Sequence, residues 1–151
     1  MKLLSTKTNA VKSIITPAII SLSLLFGFQV QASSLTVPDS LIVETVNGEN
    51  VSFDSTIGLK RGQQLVEINY RDLFQDNADD SGYWVRSKPL YLTLNVAKNQ
   101  RYEIITPTIY SAEDARAFLD NPQVKLTVNG QHHDDVELLS QAQLLTQLML
   151  K

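Results

Sequence analysis

No cysteine occurs in the 151 residues, and the five prolines and six glycines are dispersed along them. Without thiols the chain has no disulfide scaffold, thiolate nucleophile, Cys-based zinc or iron–sulfur site, or lipidated N-terminal Cys. There is no Gly-x-Ser-x-Gly elbow and no glycine-rich loop that would cradle a phosphate. Histidine is confined to the adjacent pair His132 and His133, so any imidazole relay would have to use one of them. Positive charge is short as well. Lys2, Lys7 and Lys12 are the only charged residues among the first 32, and the 119 that follow hold 10 basic and 16 acidic side chains, a net charge of −6. That sign argues against nucleic acid or an anionic membrane as the main partner.

Long apolar runs are also missing. The richest stretch, residues 13–28, is interrupted by Pro17 and by the hydroxyls of Ser13, Thr16, Ser21 and Ser23. It falls short of the roughly 20 apolar residues that cross a bilayer. It follows a basic, acid-free segment and ends in Val30-Gln31-Ala32, with short side chains where a signal peptidase reads. This plan predicts a secretory signal peptide over residues 1–32, cleaved between Ala32 and Ser33, and a periplasmic protein with no stable membrane insertion after cleavage. Residues 33–151 then form a single domain, long enough to bury roughly 60% or more of its unfolded surface.

What the domain does contain is alternation. Leu90, Leu92, Leu94 and Val96 alternate with Tyr91, Thr93 and Asn95, and similar patterns mark Val66, Ile68 and Tyr70, then Tyr102 and Ile104, then Val124, Leu126 and Val128. Period two puts the apolar set on one face of a strand. Val46-Asn47-Gly48 and Val128-Asn129-Gly130 each place Asn-Gly after an apolar run, the pair that best accepts the positive φ angles of a type I′ hairpin turn. Two segments depart from the pattern. Ser111-Ala112-Glu113-Asp114 opens a short helix carrying Ala115, Phe118 and Leu119, which Asn121-Pro122 stops. Residues 136–151 lack Gly and Pro, and Leu138, Ala142, Leu145 and Met149 recur at helical steps, which predicts a C-terminal amphipathic helix. The expected fold class is α+β, a mostly antiparallel, sandwich-like sheet with one short helix and one C-terminal helix.

Candidate sites are few. His132-His133-Asp134-Asp135 offers metal-binding atoms, but neighbours on an extended segment point to opposite faces and do not converge on one ion. The segment from Asp76 through Asn77, Asp79 and Asp80 to Gly82 resembles a calcium loop, yet an EF-hand register starting at Asn77 puts Lys88 where the bidentate Glu belongs. Paired acids at Glu113/Asp114 and Asp79/Asp80 suit a helix start and a turn better than opposed catalytic roles. No catalytic, metal or cofactor site is therefore assigned. Tyr83-Trp84, directly after the acidic loop, and Pro89, which withholds a ladder donor at the start of the best strand, mark the expected partner-contact edge.

Several stretches carry a family resemblance. They are Leu35-Thr36-Val37-Pro38, residues 41–48 running into Val-Asn-Gly, residues 59–66, Ser87-Lys88-Pro89-Leu90, and residues 113–118 with Pro122 and Val124-Lys125-Leu126. Together they resemble an uncharacterised secreted bacterial family typified by the curli synthesis inhibitor, the YccT/CsgI type. The resemblance implies a periplasmic, non-enzymatic protein that restrains an extracellular amyloid-type matrix, with no cofactor and a protein partner such as an amyloid subunit. Adding a client strand to an open sheet edge would provide the physical route. The alternative is an envelope-associated structural protein that engages an envelope partner through its C-terminal helix.

Overall fold

Period-two alternation is realised as strands wherever it was read. A computed structural model describes residues 32–52, 54–75 and 81–150 of the protein. In chain order the strands are β1 (Ser33–Thr36), β2 (Leu41–Val46), β3 (Glu49–Asn50), β4 (Thr56–Leu59), β5 (Gly62–Phe74), β6 (Tyr83–Arg86), β7 (Leu90–Val96) and β8 (Arg101–Ile105). After helix α1 (Ala112–Asp120) come β9 (Gln123–Val128), β10 (Gln131–Glu137), β11 (Leu139–Ser140) and helix α2 (Gln141–Met149). One sheet has the order β10-β9-β8-β1-β4 and the other β11-β7-β5-β2-β3, with β6 added to the far end of β5. Inward residues of both sheets, among them Leu35, Ile57, Ile104 and Leu126 from the first and Val43, Val66, Ile68 and Leu92 from the second, form one buried cluster. The architecture is thus the expected mostly antiparallel β sandwich with a short and a C-terminal helix.

The Asn-Gly turns behave as their chemistry requires. Asn47 and Gly48 have φ of 52° and 79°, and Asn129 and Gly130 have φ of 52° and 78°. Helix α1 begins at the Ser111 cap with a reciprocal box, Asp114 N donating to Ser111 Oγ at 3.1 Å and Ser111 N to Asp114 Oδ2 at 3.0 Å. The Ser111 side chain first, then the backbone N–H groups of Tyr110 and Ser111, hold the Asp114 carboxyl below its usual range by hydrogen bonding. The helix buries Ala112, Ala115 and Phe118. Phe118 packs against the ring of Tyr70 at 5.7 Å between centroids.

Within the mostly antiparallel pairing one pair is parallel, β1 lying beside β8 with Ser34 opposite Arg101. One expectation needs correction. The C-terminal helix does not begin near Val136. Val136 pairs with Val124 inside β10, Leu138 is buried, and Leu139 and Ser140 pair with β7 before α2 starts. The physical reason is a capping box at Ser140 and Gln143, with Gln143 N donating to Ser140 Oγ and Ser140 N to Gln143 Oε1. Strand pairing of the preceding residues overrides the helical spacing of Leu138.

Candidate protein-interaction site

The segment singled out for partner contact forms a two-stranded ribbon. Beyond Tyr70, β5 leaves β2 and pairs with β6, placing Arg71 opposite Arg86 and Leu73 opposite Trp84. Opposed residues of an antiparallel pair share a face. Arg71, Leu73, Trp84 and Arg86 therefore line the outer face, where Trp84 is 46% exposed. The Arg71 guanidinium stacks 4.1 Å from the Trp84 ring centroid, and that of Arg86 lies 5.7 Å from it. Tyr83 faces the other way and packs against the core, with the Arg116 guanidinium 5.9 Å from its ring. Pro89 is exposed immediately before β7. The three expected contact residues thus do not share one surface: Trp84 is presented outward, Tyr83 is turned toward α1, and Pro89 stands at the next strand's start. Arg71 and Leu73 were missed because their position opposite β6 depends on where β5 leaves β2.

The sheet edges are the second element of the site. β11 covers β7 only at Leu90 and Tyr91, so residues 92–96 of β7 have no strand on that side among the described residues. A groove of about 440 Å³ opens there between β7 and β10. Leu94, Leu126, Val128 and Val136 supply its apolar lining, with Asn95, His133 and Asp134 at its polar margin. Tyr102 closes its far end, its hydroxyl accepting from Ala97 N at 2.9 Å and reaching Asn95 O at 3.5 Å. A larger cleft of about 550 Å³ beside residues 105–108 brings together only Lys125 and Asp135 as charged groups.

A family model described as an uncharacterized protein conserved in bacteria, DUF2057, matches residues 34–151. The chain belongs to the DUF2057 family. Among its relatives is a UPF0319 protein of Shewanella oneidensis, 30% identical over 111 residues, a match covering 70% of this chain and 49% of that protein. A UPF0319 protein of Shewanella baltica is 27% identical over 101 residues, covering 64% and 44% respectively. The chain spans about half the length of the curated relatives it matches. No solved structure matches it.

The remaining candidates of this DUF2057 chain separate in space. His132 and His133 lie on edge strand β10, where His132 Nε2 is 3.9 Å from Asp135 Oδ1 and His133 turns to the groove beside β7. Among the described residues no three His, Asp or Glu side chains come together as a metal site. The segment 76–80 of the calcium-like loop lies outside the described residues, as do residues 1–31 of the expected signal peptide. Ala32 is exposed, whereas Ser33 is buried at the start of β1. The Ser33 hydroxyl donates to Ala97 O at 2.7 Å and accepts from Gln100 N, which ties the β7–β8 turn to β1. No described helix is long and apolar enough to cross a membrane.

Proposed function

We propose that this DUF2057 protein is an exported, non-enzymatic binding protein of the periplasm that restrains an extracellular amyloid-type matrix of the curli kind. It does so by pairing an unfolded subunit with its own sheet edge. The observation that carries this reading is the edge of β7. Natural sheets blunt their edges with short strands, charges, prolines and bulges, because an open row of donors and acceptors templates further strands. The outer strands here use these devices. β3 and β11 have two residues each, and β10 carries His132, His133, Asp134 and Asp135 and a register shift between His132 and Asp134. β4 has four residues and runs into Lys60-Arg61, and the outer part of β2 carries Glu44 at its own register shift. Residues 92–96 of β7, Leu-Thr-Leu-Asn-Val, have no charge, proline or bulge. A strand added there would gain backbone bonds and send alternate side chains into the groove. The resemblance to the curli synthesis inhibitor supports the same client.

The test is fibrillation of a curli-type subunit followed by thioflavin fluorescence with sub-stoichiometric protein. The wild type should lengthen the lag several-fold. Thr93→Lys with Asn95→Lys, both at exposed positions, should remove at least about half of that delay by charging the edge. An unchanged lag with wild type, or full inhibition by the double variant, would sink the reading. The address has its own check: mass spectrometry of exported material should find Ser33 as the first residue, and intact Met1 on membrane-bound protein contradicts it.

A second reading has its own observation. Leu144 alone is buried on α2, while Leu145, Leu148, Met149 and Leu150 are exposed. An uncharged helix with that face suits an envelope partner.

A further inference from the structure

The outer face of the β5–β6 ribbon contains an arrangement that folding alone does not favour. Arg71 and Arg86 stand directly opposite each other across the two strands, and like charges so placed destabilise a sheet. Neither arginine makes an ion pair among the described residues, where the only pairs are Lys60 with Glu49 and His132 with Asp135. Their guanidinium groups instead both lie over Trp84, at 4.1 and 5.7 Å from its ring centroid. Stacking on an aromatic face orients the planar fork and leaves its edge N–H groups free for a carboxylate, which guanidinium binds in bidentate fashion. Next to this doubly positive position, Leu73 and Trp84 form an exposed apolar pair.

We propose that this face is a recognition site for an extended acidic polypeptide segment that carries a carboxylate two residues from a bulky apolar side chain. The spacing follows from the ribbon. The Arg71–Arg86 pair and the Leu73–Trp84 pair are two residues apart along each strand, which is about 6–7 Å. A segment running along the ribbon in extended conformation repeats that distance between its residues i and i+2, both on one face. One carboxylate then sits between the two guanidinium groups and relieves their repulsion, while the apolar side chain covers the Trp84 ring. A carboxylate and an aromatic ring adjacent in sequence would face opposite ways and satisfy only one pair. An anionic bilayer fits less well, because residues 33–151 carry a net charge of −6, which opposes a flat, extended negative surface more than a short segment. This surface is separate from the β7 edge, and the inference does not depend on strand addition there.

Trp84 is the only tryptophan of the chain, so its fluorescence reports on this face directly. The probe is the peptide Ser-Glu-Ser-Phe-Ser-Glu-Ser-Phe, titrated at low salt. It should change Trp84 emission saturably, and the affinity should fall as salt rises. Replacing each Glu of the probe by Gln should weaken binding about tenfold, as expected for loss of charge-assisted bonds. Arg71→Gln and Arg86→Gln should each do the same, the second leaving the closer Arg71 stack on Trp84 in place. Thermal unfolding gives an independent readout: at one peptide concentration the rise in Tm should be clearly smaller for Arg86→Gln than for the wild type. The Thr93→Lys, Asn95→Lys variant should bind the probe as the wild type does, so failure here and failure at the β7 edge are told apart. Equal affinity for the Glu and Gln probes, or binding that survives both arginine substitutions, overturns the proposal. A larger salt-sensitive change with phosphatidylglycerol vesicles than with the peptide overturns it in favour of a membrane surface.

Discussion

Tyr70 shows how a single buried oxygen sets a testable cost. Its side chain is fully buried beneath α1, and its hydroxyl has no hydrogen-bond partner among the described residues. Burial, with the Asp72 carboxylate nearby as a smaller cause, pushes its pKa up to about 12 from 10.0. A buried hydroxyl without a partner costs more than it returns. Tyr70→Phe, which keeps the ring contact with Phe118, should therefore gain about 1 kcal/mol at neutral pH. Urea unfolding reads this as a higher midpoint at constant slope. The pH dependence has a definite sign. Between pH 10 and 12 the unfolded chain has lost the Tyr70 proton while the folded chain retains it. Stability present below pH 10 is thus lost as pH rises toward the folded value. The advantage of Tyr70→Phe over wild type should widen through that window, and a constant difference would contradict the assignment.

The two asparagine turns show, at the scale of an element, what was legible and what was not. Their existence and type follow from Asn-Gly after an apolar run, and both adopt the expected positive φ. Hidden in the sequence is that they repeat one clamp in the two sheets. Asn47 Oδ1 accepts from Leu65 N at 2.8 Å while Asn47 N donates to Leu65 O at 2.7 Å. Asn129 Oδ1 accepts from Arg101 N at 3.0 Å while Asn129 N donates to Arg101 O at 2.8 Å. Each amide nitrogen also reaches a glutamine just before the clamped residue, Gln64 in one case and Gln100 in the other. The partners lie 18 and 28 residues away, so matching flanks around the turns cannot reveal the repeat. Asn129→Gly keeps the backbone angle and loses the side-chain half of the clamp. Asn129→Ala loses both, and should cost about 1–2 kcal/mol more than the glycine variant in urea unfolding.

The same contrast holds elsewhere among the elements. β7 was plain because its inward leucines alternate without a break, and α1 was bounded by a hydroxyl cap and a proline. β10 carries no such signal, because an edge strand with both faces wet has no apolar period to detect. The start of α2 was misplaced although Ser140-x-x-Gln143 marks it, since helical spacing outweighed the cap. For the candidate site, Trp84 was picked out by composition. Its arginine neighbours needed the register of β5 against β6, a long-range property that local spacing does not encode.

For the whole molecule, the open question of assembly concentrates on α2. The helix is seated beside β11 and β7, at one end of a sheet. Leu144 is its one buried residue, and so most of its apolar surface is left uncovered. The curated relatives are about twice as long as the stretch they share with this chain. Truncation is a poor probe of this surface. Removing everything after Asp135 would also delete Val136 from β10 and the buried Leu138, so a lost interaction would report unfolding. Substitution at exposed positions is cleaner. Leu145→Gln with Leu148→Gln leaves Leu144 and the Ser140–Gln143 cap untouched and should cost less than about 1 kcal/mol, the range usual for changes at exposed positions. If α2 is where an envelope partner binds, pull-down from an envelope fraction should fall at least about tenfold for this variant, while inhibition of fibrillation stays unchanged. Loss of fibrillation inhibition with intact envelope binding would reverse the assignment and make α2, in place of the β7 edge, the surface that meets the fibre subunit.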